Sequence, residues 1–171
     1  MDIIRQQFPE KEHAVSPSTL ALTALLHDIG TAPEFFTATR MSFDIYGGIK
    51  AIDIVRERGG TEDQAHAVAE ATIRHQDLGT DGTITFLGQV IQLATIYDNA
   101  GQHPYMANIG QMIHEKTRDD LVKEFPSEGW LGCFANTIRD EEKQKPWCHS
   151  THIPDFPAKI EANPLMKPYE K

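Results

Sequence analysis

Leu25-Leu26-His27-Asp28-Ile29-Gly30 closes an apolar run, Leu20, Ala21, Leu22, Ala24, Leu25 and Leu26, that begins just after Ser16-Pro17. Ser16 reads as a helix N-cap and Pro17 as the first helical residue, where a missing N–H costs nothing. Gly30 is the matching stop signal. The pattern predicts a helix over residues 18–29 that presents small and aliphatic side chains, then delivers His27 and Asp28 at its inner end. Neighbours on a helix do not face each other, but both can reach one point near its end. A neutral imidazole nitrogen and a carboxylate oxygen are ligands that borderline divalent cations accept. On these two residues alone the plainer reading is the better one: a hydrogen-bonded histidine and a solvated aspartate ending a core helix.

The rest of the chain sets the frame for that helix. Its 171 residues fit one domain with a sizeable core. A net charge of -9 and a pI near 5.3 argue against a nucleic-acid binder, which needs a basic face. Cys133 and Cys148 stand in no metal-like spacing and suit a reducing cytosol. No apolar run approaches the roughly 18 residues of a membrane span, and residues 1–8 carry no signal-peptide core. The expectation is a soluble, cytoplasmic protein with no nucleic acid and no membrane among its partners.

In chain order, residues 2–8 read as the end of a helix, followed by a polar connector over residues 9–13. After a turn at residues 31–34, Ser42 caps a helix whose Ile45, Ile49, Ile52 and Val55 recur at helical spacing. Gly47-Gly48 in its first half costs about 1 kcal/mol per glycine against alanine and implies close backbone approach. Thr61 and Gln64 form a capping-box pattern. The helix behind it presents Ala65, Val68, Ala69, Thr72 and Ile73 on one face and runs into His75, which could point to the centre or be a satisfied core residue. Asp77 reads as a local cap or a solvated carboxylate. A helix is expected over residues 109–125, and another carries Trp130, Phe134 and Ile138. Residues from 145 onward hold five of the ten prolines. Residues 1–150 are therefore read as the helical domain and residues 151–171 as an irregular tail. His149 and His152 beside Cys148 are read as structural or solvated rather than as metal ligands.

Leu87, Val90, Ile91, Ala94, Thr95 and Asp98 fall on one helical stripe that ends in a carboxylate. A carboxylate on a buried face must be paired or bound to metal, and Thr95 stands one turn before it on the same face. The alternative is that Asp98 escapes to solvent from the last turn. The stripe does not choose between them.

His27-Asp28 followed by Asp98 on a later helix of an all-α chain resembles the HD-domain metalloenzyme pattern. More narrowly, the chain resembles the fungal cyanamide hydratases. The likeness is carried by residues 24–31, by Met41-Ser42-Phe43 with Tyr46-Gly47-Gly48, and by residues 73–79. Residues 82–85, 89–99 and Lys145-Pro146-Trp147-Cys148-His149 add to it. The resemblance implies an HD-like helical bundle of one domain that hydrates cyanamide, a small neutral nitrile, to urea. It implies one metal, usually zinc, with Fe2+ or another divalent ion as an alternative, and no organic cofactor. His27, Asp28 and Asp98 are the implied metal ligands. Thr95 is the residue expected to orient water or meet the developing nitrogen anion, and His75 the one expected to supply a proton or hold the substrate amine.

One departure bears on this reading. The HD pattern has a further histidine on a helix upstream of His-Asp, and His13, in the polar connector, is the only histidine before His27. Met1 is expected to start partway through the helix that should carry that ligand, as a truncated gene model, an internal start or a decayed paralogue would. Weaker zinc binding, and uncovered apolar surface that favours self-association into a homo-oligomer, are the expected consequences. Two rival readings stay open. One is an HD-type phosphohydrolase acting on nucleotides, although Thr31 stands where those proteins usually carry a lysine. The other is a folded, inactive remnant.

Overall fold

The computed structural model describes residues 1–11 and 13–170. Glu12, within the expected polar connector, and Lys171, in the expected tail, lie outside the described residues. Among the described residues the chain is all-α, with nine helices, short 3-10 turns and no strand. The helices are α1 (Asp2–Arg5), α2 (Pro17–Leu26), α3 (Pro33–Phe36), α4 (Phe43–Glu57) and α5 (Glu62–Ile73). They continue with α6 (Phe86–Asn99), α7 (Glu115–Glu124), α8 (Trp130–Gln144) and α9 (Phe156–Glu161). No helix among the described residues is long and apolar enough to cross a membrane.

The N-caps at α2 and α5 follow the sequence, whereas the Ser42 side chain makes no cap bond to α4 and instead accepts from the His149 N–H at 2.8 Å. Ser16 accepts from the Thr19 N–H at 3.2 Å at the start of α2, Thr61 from Gln64 N–H at 3.2 Å at α5, and Thr85 from Gly88 N–H at 3.0 Å at α6. Gln64 does not complete a capping box. Its side-chain amide donates instead to Ser18 and Thr19, tying the start of α5 to the start of α2. Gly59, at φ +84°, ends α4 in a Schellman turn, with Gly60 N–H on Val55 O at 2.9 Å and Gly59 N–H on Arg56 O at 3.0 Å.

The stop of α2 differs from expectation. The helix ends at Leu26, His27 is its C-cap, and Gly30 lies inside a 3-10 turn, Ile29–Thr31, with an ordinary φ. Gly30 is there for space. A Cβ on it would stand 2.0 Å from the Phe43 carbonyl oxygen, and one on Gly47 would stand 3.1 Å from Gly30 N. The His27-Asp28 turn is thereby laid backbone to backbone on the first half of α4. On the far side of α4, Gly48 gives room to Ile73 and the Ala69 carbonyl of α5. The buried face of α4 is accordingly Phe43, Gly47, Ala51 and Val55, while Ile49 is exposed. Hydrophobicity alone picked the isoleucine stripe, and the close contacts required the small residues.

Two further corrections concern the C-terminal half. The helix expected over residues 109–125 is broken: a 3-10 turn spans Ile109–Met112, Ile113 is extended, and His114 caps α7 by accepting from Lys116 N–H at 3.2 Å. Residues 151–170 are not an irregular tail. Pro157 sits in the first turn of α9, where proline starts a helix rather than breaking it. Helix α9 packs on α8, with the Phe156 ring 6.2 Å edge-on from Phe134 and Ile160 fully buried. Buried Asn163 then donates to the Asp98 and Tyr97 carbonyls at 2.6 and 3.2 Å, closing the end of α6. Glu141 of α8 accepts from the Phe43 N–H at 2.6 Å and from Ser150 at 2.9 Å, so the C-terminal half also holds the start of α4.

Candidate functional site

The site gathers at the ends of α2, α5 and α6. His27 Nδ1 lies 2.9 Å from the Ala24 carbonyl and His75 Nδ1 lies 2.6 Å from the Thr72 carbonyl. A carbonyl can only accept, so both rings donate through Nδ1 and present Nε2 inward. Each Nε2 stands 3.2 Å from a different oxygen of Asp28, and the two rings meet edge-on with centroids 5.2 Å apart. Neither oxygen of Asp28 has a hydrogen-bond partner, although both are buried, and His75 Nε2 is equally orphaned. Two nitrogen lone pairs aimed at a carboxylate repel it unless a proton or a cation lies among them. Burial works against the charged form of His27, but the adjacent Asp28 carboxylate outweighs it and raises the pKa. Burial also opposes the Asp28 charge, and His27 and His75 together reverse it, holding the carboxyl well below its usual range. The donor set of two imidazole nitrogens and one carboxylate fits a divalent transition metal.

Asp98 is placed differently. It is not buried with its stripe but exposed to a cavity of about 400 Å³, which it shares with His27, Thr95, Arg118 and Trp130. Protein crowding around the cavity raises its pKa by desolvation, against the attraction of His27. Asp98 thus faces His27 across open space, whereas His75 makes direct contact with Asp28. Thr95 lines this cavity and a second one of about 510 Å³. Its hydroxyl donates to the His75 carbonyl at 2.8 Å, with the Ile91 and Gln92 carbonyls at 3.0 and 3.1 Å. His13, the upstream histidine, is exposed.

No family model matches the chain. Cyanamide hydratase DDI2 of Saccharomyces cerevisiae is 42% identical to it over 163 residues, which is 94% of this chain and 69% of the yeast protein. Cyanamide hydratase DDI3 of the same yeast matches to the same extent. The chain belongs to the cyanamide hydratase family.

In this member of the cyanamide hydratase family, a second cluster lies one turn of chain away. His75 turns toward Asp28 while Asp77, two residues on, turns toward His149. Asp77 Oδ1 is 3.3 Å from His149 Nε2, and the His149 and His152 rings stack with centroids 4.4 Å apart. Buried Asp44 of α4 meets His149 Nδ1 at 2.5 Å. Reading the sequence missed this group. The His149/His152 spacing was visible, but the partners Asp44 and Asp77 arrive from distant segments. Cys148 takes no part: it is buried, and burial together with Glu141 pushes its thiol up to about 11.

Proposed function

We propose that the chain hydrates cyanamide to urea at a single HD-type metal centre. The substrate is the one for which the two yeast relatives are named. The observation that carries the reading is the buried Asp28 carboxylate, with both oxygens unpartnered, between Nε2 atoms of His27 and His75. In this reading His27 and Asp28 hold a divalent ion, zinc or Fe2+, with Asp98 reaching the site across the cavity. When bound, such an ion supplies Lewis acidity that brings the pKa of water from 15.7 to about 7.

The chain's own residues supply the rest. Cyanamide is small and uncharged, and the cavity between Asp98 and His27 admits it without a cationic clamp. Hydration forms a bond from water oxygen to the nitrile carbon and delivers a proton to the nitrile nitrogen; the isourea then tautomerises to urea. His75 can pass a proton from Nε2. Thr95 holds the His75 backbone in register and lines the cavity. Nucleotide phosphohydrolysis is disfavoured because the nearby guanidiniums are engaged: Arg118, which lines the cavity, donates to the Tyr97 and Tyr169 hydroxyls, and Arg74 is held by Glu70, Asp77 and the Thr83 carbonyl. We place the enzyme in a reducing cytosol, on its two free cysteines.

The test is urea release from cyanamide by the zinc-supplemented chain and by Asp28→Asn. The reading expects turnover in the parent, its loss on chelation with recovery on added zinc, and none in Asp28→Asn. Undiminished urea release by Asp28→Asn, or none by the folded, metal-supplemented parent, would overturn it.

A further inference from the structure

The geometry points to a second metal site, separate from the first, in which Asp77, His149 and His152 hold a divalent transition cation of the zinc type. Each of the three offers one ligand atom, and these atoms all lie within 4.8 Å of one another. With metal–ligand bonds of about 2.0–2.2 Å, tetrahedral ligand atoms stand roughly 3.4 Å apart. The 3.3 Å between Asp77 Oδ1 and His149 Nε2 is already at that spacing. The third ligand atom, on exposed His152, lies within 4.8 Å of the other two.

The surroundings prepare these atoms as ligands. His149 Nδ1 is occupied by Asp44, and His152 Nδ1 donates to the His149 carbonyl at 2.6 Å, so both rings direct Nε2 outward. A carboxylate behind a ligating histidine is a common outer-shell arrangement: it fixes the tautomer and raises the ligand's basicity. The second oxygen of Asp77 is braced by Arg74 Nε at 3.4 Å. The three ligands open on a cleft lined also by Thr80, Asp81 and Tyr105, which leaves room for water on the cation. Two imidazoles and one carboxylate with open positions suit Zn2+, Co2+ or Fe2+ rather than Ca2+ or Mg2+, which take oxygen ligands.

A cation here would clip the 3-10 turn His149–His152 to the connection after α5 and, through Asp44, to the start of α4. That connection carries His75. The second site would therefore stiffen the backbone that positions the first.

The test uses the full chain freed of metal by chelator and titrated with Zn2+ alone, reading bound zinc per chain by calorimetry and elemental analysis. Five proteins are compared: the parent, His152→Gln, Asp77→Asn, His27→Gln and the His152→Gln/His27→Gln double variant. The expected result is that His152→Gln loses one zinc equivalent relative to the parent, or binds it at least about tenfold more weakly. His27→Gln should keep that equivalent and the double variant lose it. His152 is exposed, so its replacement spares the core, and Asp77→Asn serves as an independent variant on the same site. Unchanged zinc stoichiometry and affinity in both His152→Gln and Asp77→Asn would overturn the proposal and leave a proton-bridged cluster. A failure at His27 alone would count against the first site and not this one.

Discussion

At the scale of residues, Thr95 shows how a side chain can serve a site without touching the reacting atoms. Its hydroxyl has one proton and three carbonyls in reach, but only the bond to His75 crosses between elements. Valine keeps the shape and removes that link. Thr95→Val should cost about 1 kcal/mol of folding stability in guanidinium titration, yet lower cyanamide turnover by about a hundredfold, because misplacing a group by 1 Å can cost that much. Thr95→Ser should restore most of the turnover. Full activity in the valine variant would remove Thr95 from the machinery. Helical offsets in the sequence put Thr95 one turn before Asp98, and the two do share a cavity. Offsets could not show that His75 would meet Asp28, since that contact depends on how two helix ends are packed. Nor could they place Asp77 against His149, 72 positions away in the chain.

At the scale of elements, the His27-Asp28 turn depends on α4 through absent side chains. Gly30→Ala would drive a methyl to 2.0 Å from the Phe43 carbonyl oxygen, so the turn must lift off α4. The expected loss is about 1–3 kcal/mol of stability, with metal affinity falling in parallel because His27 and Asp28 move with the turn. Gly47→Ala should be milder. Its nearest neighbour would be 3.1 Å away, and alanine regains up to about 1 kcal/mol of helix propensity. Denaturant titration of both variants checks the order, and a Gly30→Ala protein as stable as the parent would contradict it. The caps of α2 and α5 were legible because their chemistry is local. The glycine-lined face of α4 was not, because small residues carry little hydrophobic signal and only the packed neighbour explains them.

At the scale of the whole molecule, the segment after residue 150 belongs to the core. Its prolines read as breakers in sequence, but proline at a helix start and buried Phe156, Ile160 and Met166 make it a closing strap. Each such side chain contributes roughly 1.5–3 kcal/mol of burial, and Asn163 adds the bonds that end α6. A chain ending at residue 150 should therefore lose about 5–9 kcal/mol, comparable to the whole stability of a domain this size. It should show no cooperative thermal transition. A truncated protein that melts sharply near the parent temperature would return residues 151–171 to the status of an appendage.

The metal centre proposed for this chain rests on His27 and Asp28. Anomalous diffraction at the zinc edge, on crystals of the zinc-loaded chain, tests it most directly. The expected map has a peak at Asp28 within ligand distance of His27 Nε2. An empty map there, with Asp28 simply hydrogen-bonded to two protonated imidazoles, would contradict it.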